Sequence, residues 1–278
     1  EIRGYVPDQD ITAPWWASKA EDWWKLAAEN DFWQGGFVWT GFDYRGEPTP
    51  YKWPNVNSHF GIMDVCGFPK NIYYYYKSWW TDEDVIHISP HWNWNEKIGQ
   101  PIEVWVNSNA DDVELFLNGK SLGKKTMPRN SHLKWEVTYE PGTLEAIGYK
   151  KGKKISTKVE TTSTPYKVIA TSEKNILTAD GKDATVVNIS IVDEKGREVP
   201  VADNMVKFFL KGDAKIIGVG NGDPSSHEAD KCEPNNWKRS LFNGKAQVIL
   251  LSGKKQNVIQ LKATSTEPQS AIVSLQQK

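Results

Sequence analysis

From residue 85 to the end of the chain, apolar and polar residues alternate along short segments, and this two-residue period constrains the fold more than any other feature. The segments 102–107 and 113–117 are clear examples, and the second leads into Asn118-Gly119, a dipeptide typical of type I′ hairpin turns. Short alternating segments with turn residues between them are typical of β-sandwiches. We therefore predict that most of the chain is antiparallel β-sheet.

A polar stretch at residues 160–166, ETTSTPY, divides this β-rich part in two, because small polar residues with a proline are typical of a linker. Before it we predict strands at 85–89, 102–107, 113–117, 133–137 and 144–149. After it we predict strands at 185–192, 206–210, 245–251 and 257–263, with a loop at 216–230. The sequence thus predicts a β-sandwich domain at 82–163 and a C-terminal immunoglobulin-like β-sandwich domain at 164–278.

The first part of the chain has a different composition, since 11 of the 14 tryptophans lie within residues 1–94. Residues 18–31 have helical spacing, and Ser18 and Glu21 stand in the arrangement of an N-terminal capping box. A second helix is predicted at 71–80. Residues 1–81 are therefore predicted to be an α/β region.

Between these helices, the run from Gly36 to Trp39 is apolar without alternation, which is typical of a strand buried on both faces. A helix, a tight turn and such a strand form one unit of a parallel sheet or of a (β/α) barrel. In barrels, the residues at the carboxyl ends of strands face the substrate. Trp39 ends the run, Asp43 and Tyr44 follow it, and all three are candidates for such contacts. The alternative is that these aromatic residues only pack the barrel and its loop.

Two segments in this region resemble a known family. The stretches GGFVWTGFDYRGEPTPY, at 35–51, and HFGIMDVCGFPKNIYYYYKSWW, at 59–80, resemble the last strand, loop and helix of the catalytic barrel in glycoside hydrolase family 2, and the β-galactosidase-like members in particular. Later segments resemble the two sandwiches that follow this barrel, namely HISPHWNW, VELFLNGKSLG, LKWEVTYEPGTLEAIGY, GVGNGDPSSHE and RSLFNGKAQVIL. The resemblance implies the last strand-helix units of a (β/α)8 barrel followed by two immunoglobulin-like β-sandwiches.

Enzymes of this family are retaining glycosidases, which require two carboxylates about 5–5.5 Å apart. The resemblance implies that the acid/base glutamate lies outside this chain. Arg3-Gly4 resembles a pair that follows the nucleophilic glutamate by several residues, and Glu1 is too close to it to match. We therefore expect no catalytic residue here. The expected partners are the missing N-terminal portion of the enzyme, or another copy of the chain, and a carbohydrate substrate.

The resemblance also implies a sugar-binding site with Trp39 as one wall, because an indole suits the apolar face of galactose. Asp43 is expected to accept hydrogen bonds from the sugar hydroxyls. Family members that act on glucuronides have an Asn-x-Lys pattern before the glycine of this loop. Here Ser58, His59 and Phe60 precede Gly61, so neutral sugars are favoured. The expected substrate-binding residues are Trp39, Asp43, Tyr44, His59 and Phe60.

In the resembled family, the strand-end tryptophan is typically joined to the next residue by a cis bond that is not a proline bond. We therefore predict a cis peptide bond between Trp39 and Thr40. Such bonds are found in well under about 0.1% of linkages that do not involve proline, which makes the prediction specific.

Charge and composition exclude several other classes of function. A net charge of −1 favours neither nucleic acid nor anionic membranes as partners, and no apolar run reaches the length of a membrane span. Cys66 and Cys232 are expected to be free thiols. The loop near Asp223 lacks the spacing of a calcium-binding EF-hand, and Pro90 separates His87 from His91, so we expect neither metal nor cofactor.

A second class of function is a carbohydrate-binding or structural module without catalysis. Sugar-binding faces use exposed aromatic side chains, and Trp92, Trp94 and Trp237 are candidates. Trp92 and Trp94 are expected to pack between barrel and sandwich, because alternate residues of a strand share a face. Trp237, in the polar run KCEPNNWKRS, is the better candidate for an exposed side chain. The resemblance implies a periplasmic or extracellular location.

Overall fold

The computed structural model describes residues 13–278, so Glu1, Arg3 and Gly4 lie outside the described residues. The chain divides into two compact units. The N-terminal unit ends at Thr161 and the C-terminal unit spans Thr162–Lys278. The described residues are mostly β-sheet with only two α-helices, and neither helix has the length and apolar character required to cross a membrane.

The first helix, α1, spans Ala20–Ala28 and is shorter than predicted. Its N-cap is Lys19, without a side-chain hydrogen bond, so the predicted capping box is wrong. The carboxylate of Glu21 instead accepts hydrogen bonds from Lys25, Ser131 and His132. Two of these partners lie more than 100 residues away in the sequence, and no local pattern indicates them.

The second helix, α2, spans Asn71–Trp80 and confirms the prediction at both ends. Residues 36–39, however, are not a strand. Phe37 and Trp39 are exposed, and no described residue pairs with this segment in a ladder. Because a strand is defined by its partner, an extended apolar segment without one remains a single extended chain. The alternating strands and helices of a (β/α)8 barrel are therefore not evident in residues 13–81.

The rest of the N-terminal unit is a β-sandwich. Its first sheet has the order β1-β2-β5 and consists of β1 (Ile86–Ser89), β2 (Pro101–Ser108) and β5 (Leu133–Thr138). Its second sheet has the order β4-β3-β6-β7 and consists of β3 (Asp112–Leu117), β4 (Lys120–Thr126), β6 (Thr143–Lys150) and β7 (Lys153–Glu160). The two sheets share one hydrophobic core, and Val104 and Leu115 are among its fully buried residues.

The predicted hairpin turn at Asn118-Gly119 is confirmed, since both residues have positive φ angles of 50° and 79°. The structure adds β4 and β7, two strands that were not predicted from the sequence. Both are edge strands rich in lysine, and their residues are exposed or half-buried. Charged edge strands protect a sheet from pairing with other chains, and for that reason they lack the apolar alternation used for prediction.

The C-terminal unit is a second sandwich. One sheet has the order β12-β14-β10-β8 and consists of β8 (Lys167–Ser172), β10 (Ala184–Val192), β12 (Ala214–Gly220) and β14 (Lys245–Ser252). The other has the order β13-β11-β15-β16-β9 and consists of β9 (Ile176–Leu177), β11 (Met205–Lys211), β13 (Lys238–Ser240), β15 (Asn257–Thr264) and β16 (Ala271–Gln277). Phe208 and Leu250 lie in its core.

The prediction of a loop at 216–230 is wrong for residues 216–220, because these residues belong to strand β12. Ile216 and Val219 are buried in the core, which holds the segment in the sheet. Trp237, the candidate for an exposed aromatic side chain, is half-buried and packs against the same core. Trp92 is fully buried in the core of the N-terminal unit, where its Nε1 donates to the Glu140 carbonyl at 3.0 Å.

Helix α2 packs on the outer face of the β1-β2-β5 sheet. The ring of Tyr74 stacks on His87 of β1 at 3.6 Å between centroids, and the His87 ring lies 2.7 Å from the Asn71 carboxamide oxygen. The Nε1 of Trp79 donates to the Ser131 carbonyl at 3.1 Å. These contacts hold α2 on the sheet. The segment that precedes Asn71, the first residue of α2, is therefore anchored at its C-terminal end.

Candidate functional site

The candidate site lies where residues 40–46 run beside residues 56–63. Backbone hydrogen bonds link the two segments: the N–H of Thr40 donates to the Phe60 carbonyl at 3.0 Å, and the N–H of Ile62 donates back to Thr40 at 3.0 Å. The N–H of Ser58 donates to the Tyr44 carbonyl at 2.9 Å. This pairing brings Phe60 close to Tyr44, which contacts Trp39 five residues before it in the chain.

Gly61 permits this close approach. A Cβ atom at this position would lie 2.1 Å from the Asp43 backbone nitrogen and 2.3 Å from the Met63 carbonyl oxygen. Both are backbone atoms that belong to the pairing itself, so they cannot move aside. The glycine is therefore required by steric crowding.

Trp39 presents its indole to solvent, with 74% of the residue exposed. The bond between Trp39 and Thr40 is cis, which confirms the prediction. The indole Nε1 donates to the Tyr44 hydroxyl at 3.2 Å, and that hydroxyl donates to the Glu47 carboxylate at 2.6 Å. An exposed tryptophan is thus held by a chain of two hydrogen bonds.

Phe60 and His59 line the same loop. The rings of Tyr44 and Phe60 lie 6.5 Å apart between centroids, and the His59 ring lies 4.5 Å from that of Tyr51. Trp39 meets Tyr44 edge-on at 6.3 Å. The structure therefore brings Trp39, Tyr44 and Phe60 into one aromatic group, with His59 next to Phe60 in the chain.

Asp43 is buried, and both of its carboxylate oxygens are occupied. Oδ1 accepts the Gly61 N–H at 2.8 Å, and Oδ2 lies 2.7 Å from the ammonium of Lys70. Burial raises the pKa of Asp43, while the nearby Lys70 opposes that rise. With these contacts the carboxylate anchors the loop. Direct contact between Asp43 and a sugar stays a prediction.

Glu47 and Lys70 also belong to this site, although neither was predicted from the sequence. Glu47 has a positive φ of 50°, between Gly46 and Pro48, and no sequence pattern indicates that its side chain turns back to Tyr44. Lys70 has a recognisable reason to be present, because a buried carboxylate such as Asp43 requires a charged or hydrogen-bonding partner. Sequence alone does not show that Asp43 is buried.

Two family profiles match the chain. Residues 99–156 match a "Domain of unknown function (DUF4982)", and residues 169–274 match the "Glycoside hydrolase family 2 C-terminal domain 5". The chain is 46% identical over 263 residues to the β-galactosidase BoGH2A of Bacteroides ovatus, covering 94% of this chain and 30% of that protein. It is 38% identical to a putative β-glucuronidase of Formosa agariphila, covering 83% of this chain and 23% of the relative.

Solved structures give the same result. A β-glycosidase from Bacteroides vulgatus superimposes with a TM-score of 0.90 at 32% identity, covering 98% of this chain and 34% of that one. A glycosyl hydrolase family 2 member from Bacteroides cellulosilyticus superimposes with a TM-score of 0.85 at 30% identity, covering 94% and 38%. The two sandwiches and the aromatic loop are thus similar to those of glycoside hydrolase family 2 members. The chain belongs to glycoside hydrolase family 2, as a C-terminal portion that spans less than half of these relatives.

Proposed function

We propose that this chain is the C-terminal part of a retaining glycosidase that hydrolyses β-glycosidic bonds of neutral sugars, with β-galactosides as the preferred substrates. The observation that carries the proposal is the exposed indole of Trp39, which is held in place by the Tyr44 hydroxyl at 3.2 Å. An exposed, fixed indole presents a flat apolar surface, which suits the C–H face of a pyranose ring. Tyr44 and Phe60 extend this surface.

Two observations support neutral sugars over uronic acids. First, Ser58, His59 and Phe60 supply no lysine or arginine before Gly61, whereas recognition of a uronate carboxylate requires a cation. Second, the ammonium of Lys70 is engaged by Asp43. Relatives of the chain include both a β-galactosidase and a putative β-glucuronidase, and the higher identity is to the β-galactosidase.

We assign the residues of the loop two kinds of role. Trp39, Tyr44 and Phe60 form the surface that contacts the sugar ring, with His59 beside it. Asp43 acts chiefly as a positioning residue, because its carboxylate is buried and bound to Gly61 and Lys70. A sugar hydroxyl that reaches Asp43 has to share an oxygen with these donors.

We propose further that residues 1–81 complete a (β/α)8 catalytic barrel with the remainder of the enzyme, followed by sandwich domains at 82–163 and 164–278. Large apolar side chains are exposed on the described part of this region, including Trp15, Phe32, Phe37 and Trp53. Exposed apolar groups of this size favour association with another surface. The catalytic glutamates would then lie in the remainder of the enzyme, and this chain alone would have no turnover.

The test uses the longest natural protein that contains these residues, assayed on p-nitrophenyl β-galactoside. We expect Trp39→Ala to lower kcat/KM roughly 10- to 100-fold, because the apolar face of the sugar loses its surface. Phe209→Ala is the control, since Phe209 is an aromatic residue of the C-terminal unit and is 50% exposed. Equal activity of the Trp39→Ala variant and the unmodified protein would contradict the proposed role of Trp39.

The 278-residue chain provides a second measurement. Highly purified chain is expected to release no nitrophenol, because both catalytic carboxylates would be missing. Turnover that persists through purification and in a Glu1→Gln variant would show that the chain contains its own catalytic pair.

A further inference from the structure

Glu47 occupies an unusual backbone conformation in the candidate site. Its φ of 50° is in the left-handed region, which residues other than glycine, asparagine and aspartate rarely adopt. The preceding Gly46 also has a positive φ, of 84°. Conformations of this kind cluster at functional sites, where the surrounding structure maintains them.

The consequence of this conformation is that the Glu47 carboxylate meets the Tyr44 hydroxyl. The hydroxyl donates to Glu47 at 2.6 Å and accepts from the Trp39 indole at 3.2 Å. The carboxylate oxygen therefore lies within about 6 Å of the indole nitrogen, given the lengths of two consecutive hydrogen bonds. The hydrogen bond with Glu47 raises the pKa of Tyr44, so the phenol stays protonated and remains the donor to the carboxylate.

Two other charged groups of the described loop are engaged elsewhere. Lys70 binds Asp43, and the guanidinium of Arg45 donates to the Asn57 carboxamide oxygen at 3.1 Å. The Glu47 side chain is exposed, and its carboxylate is linked to the Trp39 indole through the Tyr44 hydroxyl. A sugar stacked on that indole would therefore lie near a negative charge.

We propose that Glu47 is a specificity-determining residue that discriminates against glycosides carrying a negative charge, such as uronides, and in favour of neutral glycosides. The inference rests on the proposed function of this loop. The mechanism is repulsion between two carboxylates across a short distance, which disfavours the charged substrate without requiring a new contact to the neutral one. The hydrogen bond to Tyr44 gives Glu47 a second role, which is to hold the indole of Trp39.

The experiment compares kcat/KM for p-nitrophenyl β-glucuronide and p-nitrophenyl β-galactoside in the longest natural protein that contains these residues. Glu47→Gln keeps an acceptor for the Tyr44 hydroxyl but removes the charge. We expect the glucuronide-to-galactoside ratio to rise about three- to tenfold, the effect of one charge pair near a solvent-exposed site. Because the result is a ratio, a general loss of activity from looser positioning of Trp39 cancels.

Two further measurements separate charge from structure. The ratio of the unmodified protein is expected to rise with NaCl up to about 0.5 M, because salt screens the repulsion, and the ratio of Glu47→Gln is expected to stay flat. Glu267→Gln is the matched control, since Glu267 is an exposed glutamate in the C-terminal unit, and it is expected to leave the ratio unchanged. The salt series on the unmodified protein gives a result even where the variant does not fold.

A ratio in Glu47→Gln within twofold of the unmodified protein, with galactoside still hydrolysed, would overturn the inference and leave the proposed function intact. A salt-independent ratio in the unmodified protein would overturn it as well. An unmodified protein that hydrolyses only the glucuronide would overturn both the inference and the preference for neutral sugars.

Discussion

At the scale of single residues, the carboxylate of Glu21 shows how a side chain in one helix is fixed by distant partners. It accepts hydrogen bonds from Ser131 at 2.6 Å and from His132, and the His132 ring stacks on Trp105 at 3.7 Å. Burial raises the pKa of Glu21, but the hydrogen bonds from His132, Lys25 and Ser131 outweigh it and lower the pKa to about 2. Glu21 therefore stabilises the folded N-terminal unit in its ionised form.

This lowered pKa predicts a defined dependence of stability on pH. Since the folded pKa is below the ordinary value of 4.5, the stabilisation is present above pH 4.5 and is lost as the pH falls towards 2. We expect Glu21→Gln to lower the free energy of unfolding by about 1–3 kcal/mol at pH 7, and by progressively less below pH 4.5. Urea unfolding of both proteins at several pH values measures this difference.

Glu29→Gln is the control for this experiment. Glu29 is exposed and follows the last residue of the same helix, so its substitution is expected to change stability by less than about 0.5 kcal/mol. A constant difference between Glu21→Gln and the unmodified protein from pH 7 to pH 2 would contradict the assignment of the effect to this carboxylate.

At the scale of elements, the pairing of residues 40–46 with 56–63 depends on a glycine at position 61. A methyl group there would overlap backbone atoms of Asp43 and Met63. Gly41 lies in the same pair of segments, and a Cβ atom there would meet nothing within 4 Å. The two glycines therefore provide a matched comparison.

We expect Gly61→Ala to destabilise the loop by about 1–3 kcal/mol or more, because overpacking against backbone cannot be relieved by a rotamer change. Gly41→Ala is expected to change stability by less than about 1 kcal/mol. Amide hydrogen exchange at Thr40 and Ile62, whose N–H groups form the pairing, measures the effect locally. Similar exchange rates in the two variants would show that crowding at Gly61 does not determine the loop.

At the scale of the whole molecule, the two compact units have separate hydrophobic cores. Leu115 is fully buried in the core of the N-terminal unit, and Leu250 is fully buried in the core of the C-terminal unit. Each core is formed by two sheets of its own unit. Each unit is therefore expected to have its own free energy of unfolding.

We expect Leu115→Ala and Leu250→Ala each to lower the stability of the unit that contains the substitution by about 2–5 kcal/mol, the usual cost of a cavity in a core. Differential scanning calorimetry of the two variants should show different transitions shifted to lower temperature. A single transition that shifts equally in both variants would indicate that the chain unfolds as one cooperative unit.

The sequence by itself determined the features that depend on a residue and its near neighbours. Alternation predicted the central strands of both sandwiches, Asn118-Gly119 predicted a hairpin turn, and the aromatic motifs indicated glycoside hydrolase family 2. Helix α2 was predicted at both ends. These features follow from backbone preferences and from the two- or 3.6-residue periods of burial, which are local properties.

Only the tertiary structure decided the features that depend on a distant partner. Glu21 meets His132 instead of capping its helix, Asp43 pairs with Lys70, and Glu47 turns back to Tyr44. For the same reason residues 36–39 are not a strand, although their composition is that of one, and the lysine-rich β7 is a strand, although its composition is not. A ladder, a buried ion pair or a hydrogen bond requires two groups, and the fold determines which groups meet.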